Sequence, residues 1–108
     1  MKTNGKRINA LGNQLDDAIR TKVRIYDNGG KTLDRYTSLY LFDPVRPGTY
    51  GSRSMSSQPY YGIGCYGEAM PGRHLGRRVQ LNDMPADCQR VIRSDVSAYL
   101  SAVHAASA

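Results

Sequence analysis

Residues 22–42 read KVRIYDNGGKTLDRYTSLYLF, and the reading of this stretch decides the fold. Val23 and Ile25 alternate with Lys22, Arg24 and Tyr26, the period of a strand with one buried face. Asn28-Gly29-Gly30 follows, the chemistry of a tight turn that needs positive φ. Tyr36–Phe42, rich in aromatic and branched residues, predicts the returning arm of a hairpin. Its faces separate, with Tyr36, Ser38, Tyr40 and Phe42 on one side and Thr37, Leu39 and Leu41 on the other. An apolar sheet face needs a cover, and the end of the chain supplies one. Asn82 or Asp83 suits the cap of a helix, Pro85 its first turn, and Asp87 the positive end of its dipole. Cys88, Val91, Ile92, Val96, Tyr99 and Leu100 then recur at three- and four-residue steps as one buried stripe. The expected fold is α+β, a small antiparallel sheet with a C-terminal helix packed on one face.

The flanking sequence is less regular. Ile8, Leu11, Leu15, Ala18 and Ile19 give residues 1–21 a helical spacing that Gly12 interrupts. Asp43–Gly72 is dense in Gly, Pro, Ser and Tyr and predicts a long ordered loop holding one short strand. At 108 residues the chain fits one domain over 1–108, divided into a helical segment (1–21), hairpin, loop and strand (22–80) and the helix (83–103), with an Ala and Ser tail that frays. Its start, MKTNGKRINALGNQ, is polar, and no run of about 18 apolar residues occurs, so a cytoplasmic protein with no membrane partner is expected. Two cysteines, Cys65 and Cys88, are too few for a disulfide scaffold.

Several chemistries can be weighed against their spacing. Gly62-Ile63-Gly64-Cys65-Tyr66-Gly67 matches G-x-G-x-x-G, but Pro59-Tyr60-Tyr61 precedes it where a dinucleotide fold has a hydrophobic strand. Pro71-Gly72 then breaks any helix that would present its amides to a pyrophosphate. Gly29-Gly30-Lys31-Thr32 lacks the upstream glycine of a phosphate loop. Cys65, His74 and Cys88 are the soft ligands of the chain body, without a C-x-x-C or H-x-x-x-H pair, so no metal or other cofactor is expected. A Cys–His pair is formally present in Cys65 or Cys88 with His74, yet Cys88 falls on the helix stripe and reads as core. Glu68 is the sole glutamate, which removes a Glu-based acid and base pair. No catalytic residue is assigned, and the chain reads as a non-enzyme.

The charge balance points to binding. Fifteen Lys and Arg face nine Asp and Glu, a net charge of +6, and eleven of the cations are Arg. Arg73, Arg77 and Arg78 cluster with His74 ahead of the C-terminal helix, and Tyr60 and Tyr61 stand in the Gly-rich segment. Arg and Tyr suit a protein interface, and the same residues suit phosphates and bases. Arg73, His74, Arg77, Arg78, Tyr60 and Tyr61 are therefore the candidate partner-binding residues. In an extended strand Arg77 and Arg78 point to opposite faces, so spacing alone does not make them one patch.

One resemblance joins these segments. The order DNGGKTLDRYT (Asp27–Thr37), a Y-T-x-x-Y strand, Met55-Ser56, G-x-G-x-x-G-E ending at Glu68, HLGRRV (His74–Val79) and DMPADCQRVI (Asp83–Ile92) is similar to a family of small proteins encoded by bacteriophages, prophages and integrated mobile elements. It spans roughly Val23 to Leu100. Where that family often carries a Pro-x-His-Pro-Gln-Gly-like loop, this chain has Pro59-Tyr60-Tyr61-Gly62, without the histidine. The resemblance implies a mobile-element setting and no established reaction. In that setting the expected function is a non-catalytic accessory protein that binds and inhibits a host defence complex, a protein or ribonucleoprotein such as a CRISPR effector. The alternative is an autonomous nucleic-acid-binding or regulatory protein.

Overall fold

The computed structural model describes residues 13–58 and 65–107. The contributions expected of Ile8 and Leu11, and of Tyr60 and Tyr61, lie outside them. Helix α1 covers residues 13–22 and runs directly into β1 (Val23–Asp27). β1 pairs antiparallel with β2 (Tyr36–Arg46), setting Ile25 opposite Ser38 and Asp27 opposite Tyr36, so the hairpin forms as the alternation predicts. β3 (Thr49–Met55) lines the other side of β2, β4 (Cys65–Ala69) pairs with β3, and β5 (Arg77–Val79) adds to the free side of β1. The sheet is antiparallel throughout, in the order β4-β3-β2-β1-β5.

The expectation of a long loop over Asp43–Gly72 is corrected, since this segment completes β2 and supplies β3 and β4. Thr49–Met55 has no apolar alternation because Gly51, Arg53 and Met55 share the core-facing side, and the Arg among them is neutralised by a carboxylate of the covering helix. Pro47-Gly48 forms the two-residue link between β2 and β3. Pro44 sits at a register irregularity of β2, beyond Tyr40 where β1 ends its pairing, so its missing N–H removes no rung from β1. The β1–β2 connection also differs from a tight turn. It runs over residues 28–35, with Gly29 and Gly30 at φ 77° and 87° and the Asn28 N–H donating to the Arg35 carbonyl at 3.0 Å.

Helix α2 (Ala86–Ser107) begins three residues later than expected and continues past Val103. Asp83 does cap, but it caps the 3₁₀ turn Leu81–Asp83, where its Oδ2 accepts the Gln80 N–H at 2.8 Å. Ile19, Val23, Ile25, Tyr36, Tyr40, Met55, Met84, Cys88, Ile92 and Val96 form one core between the two helices and the sheet. Cys88 and Ile92 are fully buried. At about 1.5–3 kcal/mol for each large apolar side chain removed from water, this stripe holds α2 on the sheet. The Cys88 thiol donates to the Ser56 carbonyl at 3.3 Å, and burial pushes its pKa up, so it is an inert core group.

Candidate functional site

The site begins at the outer edge of the sheet. β5 has three residues, and its register places Arg77 opposite Asp27 and Arg78 opposite Tyr26. Successive strand residues alternate faces, so Arg77 lies on the helix side and Arg78 on the opposite face, beside Tyr26, as the spacing requires. A 3₁₀ turn over Arg73–Leu75 leads into β5, closed by Leu75 N–H to the Gly72 carbonyl at 3.1 Å and Gly76 N–H to the Arg73 carbonyl at 3.0 Å. Gly76 has φ 112°, and a Cβ there would stand 2.2 Å from the Asp27 carbonyl oxygen. Only glycine lets the turn approach β1 this closely.

Because β5 is an edge strand, arginines on its two faces reach one hollow. Tyr26, Gly72, Arg73, Gly76, Arg77 and Arg78 line an open cleft of 560 Å³. Tyr26 is buried at 5% exposure, and the Arg78 guanidinium lies over its ring, 5.7 Å from the centroid. His74 is exposed and does not line the cleft; its ring folds against Gly72. The structure thus brings together Arg73, Arg77 and Arg78, adds Tyr26, and leaves His74 beside them.

Ion pairing sets these arginines apart. Arg20 pairs with Asp17, Arg35 with Asp27, Arg46 with Glu68, Arg53 with Asp95, Arg90 with Asp87 and Arg93 with Asp16. Among the described residues, Arg24, Arg73, Arg77 and Arg78 take no part in such a pair. Arg77 only adds its charge at a distance to Asp27, whose carboxylate is already forked by Arg35 (Nε to Oδ1 2.8 Å, Nη2 to Oδ2 3.0 Å) and accepts the Gly29 N–H at 2.8 Å. The Arg35 fork, against the opposing cost of burial, holds the Asp27 pKa below the usual carboxylate range. Three of the four arginines outside such pairs among the described residues therefore stand at the β5 edge.

A second polar constellation lies at the other side of the sheet. Asp95 on α2 accepts from Arg53 (Nε 2.9 Å, Nη2 2.7 Å) and from the Tyr40 hydroxyl at 2.5 Å. The Arg53 guanidinium lies 5.1 Å from the centroid of the Tyr66 ring, whose hydroxyl donates to Asp43 at 2.7 Å. Burial, reinforced by the carboxylates, raises both phenol pKa values, that of Tyr66 to about 12. Both phenols stay protonated near neutral pH, and the network ties β2, β3, β4 and α2 together. Among the described residues no three His, Cys, Asp or Glu side chains form a metal-binding group, and no helix is long and apolar enough to cross a membrane. Sequence reasoning missed Tyr26 as part of the cleft. Its alternation with Ile25 was the available signal, since it sends Tyr26 to the face away from the helices, where Arg78 meets it. Comparison with family models, curated proteins and solved structures finds no match.

Proposed function

We propose that this chain is a non-catalytic accessory protein of a bacteriophage or mobile element that binds and inhibits a host defence complex, a CRISPR effector being the first to test. The observation that carries the reading is the cleft at the β5 edge, where Arg73, Arg77 and Arg78 converge without acidic partners among the described residues while the other arginines around them are largely paired. Guanidinium groups left unpaired in a concave site are donors awaiting carboxylates or phosphates from outside. The resemblance of Asp27–Thr37, His74–Val79 and Asp83–Ile92 to phage-encoded proteins supports the mobile-element setting. Tyr26 favours a protein surface over stacked bases, because its ring is buried beneath Arg78 and offers no free face.

The test is a plasmid-interference or phage-plating assay in bacteria carrying such systems. The chain is expected to relieve restriction, and Arg73→Ala with Arg77→Ala or Arg78→Ala to weaken partner binding by about 1–3 kcal/mol. The variant Cys65→Ser, Cys88→Ala, His74→Gln is expected to stay active when folded. A folded but inactive variant of that kind would return the reading to thiol or histidine chemistry.

A further inference from the structure

The loop between β1 and β2 holds an apolar side chain in water. Leu33 is 87% exposed, the most exposed large hydrophobic residue among those described. Single exposed leucines are common, so exposure alone assigns nothing. What distinguishes Leu33 is the loop beneath it. Asn28 Oδ1 accepts the N–H groups of Gly30 (2.9 Å) and Lys31 (3.1 Å), and its Nδ2 donates to Thr32 Oγ1 (2.8 Å) and the Asp34 carbonyl (3.3 Å). Thr32 Oγ1 donates to the same carbonyl at 3.0 Å, and the Arg35 N–H closes on the Leu33 carbonyl at 3.0 Å. The Asp27–Arg35 fork locks both ends. The loop is therefore braced around a leucine that is left exposed among the described residues.

Its place in the molecule supplies the second half of the argument. The loop leaves the sheet at Asp27, the residue opposite Arg77, and Gly76 abuts the Asp27 carbonyl and the Asn28 Cα. The braced leucine and the unpaired arginines of the cleft thus share one end of the sheet. We infer that Leu33 and the Arg73–Arg77–Arg78 cleft form a single docking surface for a protein bearing an apolar pocket rimmed by carboxylates. Charge complementarity selects the rim, and the leucine selects the pocket. A phosphate backbone would satisfy the arginines and leave Leu33 in water, which is why a protein is the better match. Holding the knob in place beforehand removes ordering entropy from the binding step.

This inference rests on the proposed inhibitor reading for its setting, and the two fail separately. Leu33→Ser is expected to melt as the wild type does and to weaken inhibition in the interference assay about 10- to 100-fold, the range for losing one buried leucine at an interface. Leu33→Met should retain most inhibition, and Val45→Ser, at another exposed apolar position, should not change it. In the same cells, the full chain carrying the photo-crosslinker p-benzoylphenylalanine at position 33 is expected to give an adduct that resists nuclease and is destroyed by protease. Charge reversal at Arg73, Arg77 and Arg78 to Glu should reduce its yield at least about tenfold, and the crosslinker at position 45 should give no such adduct. A nuclease-sensitive adduct, an adduct indifferent to charge reversal, or no adduct at all would overturn the docking surface. Full inhibition by Leu33→Ser would overturn it while leaving the inhibitor reading intact. If the wild type relieves no restriction, the inhibitor reading falls, and the adduct at position 33 still decides the docking surface.

Discussion

Asp95 is the acceptor that Arg53 and the Tyr40 hydroxyl share, and its removal takes the carboxylate from both in a largely desolvated place. Breaking one partner of a partly buried pair costs more than the pair itself contributes. Asp95→Ala is therefore expected to lower stability by about 3 kcal/mol in urea unfolding, and Arg53→Met with Asp95→Leu to recover part of that loss. Asp27 gives a pH-dependent contribution of definite sign. Its folded pKa lies below the unfolded value of 3.8, so the unfolded chain binds the proton more readily. The contribution is complete above about pH 5 and disappears as pH falls through the folded pKa. Comparing acid unfolding of the wild type with Asp27→Asn should show the variant losing part of the slope below pH 4. At the alkaline end Tyr66 acts in the opposite sense, since its raised pKa of about 12 makes stability fall as pH climbs from 10 towards 12, a loss that Tyr66→Phe should reduce.

Among the elements, α2 and the β1–β2 hairpin were legible in the sequence because their burial follows a period. Ile92 and Val96 lie where the stripe puts them, and Tyr36, Ser38 and Tyr40 all face the core. Ile92→Asp should accordingly unfold the protein or remove several kcal/mol, read as a lost or much lowered melting temperature. β3 was hidden because pairing on both sides, and not its own apolar content, makes it a strand. Arg53 is polar in sequence yet lies on the core-facing side in the structure, forked to Asp95, 42 residues away, a partner that no local pattern announces. The start of α2 shifted for a similar reason, as Asp83 had a nearer turn to cap. The arginines of the candidate site could be read as a cluster, but their convergence could not, since it depends on β5 joining β1 and on Gly76 reaching the Asp27 carbonyl. Gly76→Ala should separate these contacts, lowering the melting temperature and weakening partner binding together.

For the whole molecule the question is what a net charge of +6 is for. Among the described residues, ion pairs absorb much of the positive charge over the two helices and the β2–β4 side, and three of the four arginines outside such pairs stand at the β5 edge. A free nucleic-acid binder making about four phosphate contacts would lose roughly 100-fold in affinity between 50 and 200 mM salt. The isolated chain is expected instead to show no sub-micromolar binding to random duplex or single-stranded DNA or RNA by fluorescence anisotropy. The claim at the centre of this account is that the chain acts by occupying a partner and turns nothing over. The most direct measurement titrates the purified chain against whichever effector the interference assay shows to be sensitive, and follows the effector's cleavage rate. The account predicts that inhibition rises in proportion to the chain added and is complete only near one chain per binding site, with Arg73, Arg77 and Arg78 to Ala shifting the curve to higher concentration. Complete inhibition at a few chains per hundred effectors, increasing with incubation time, would contradict it.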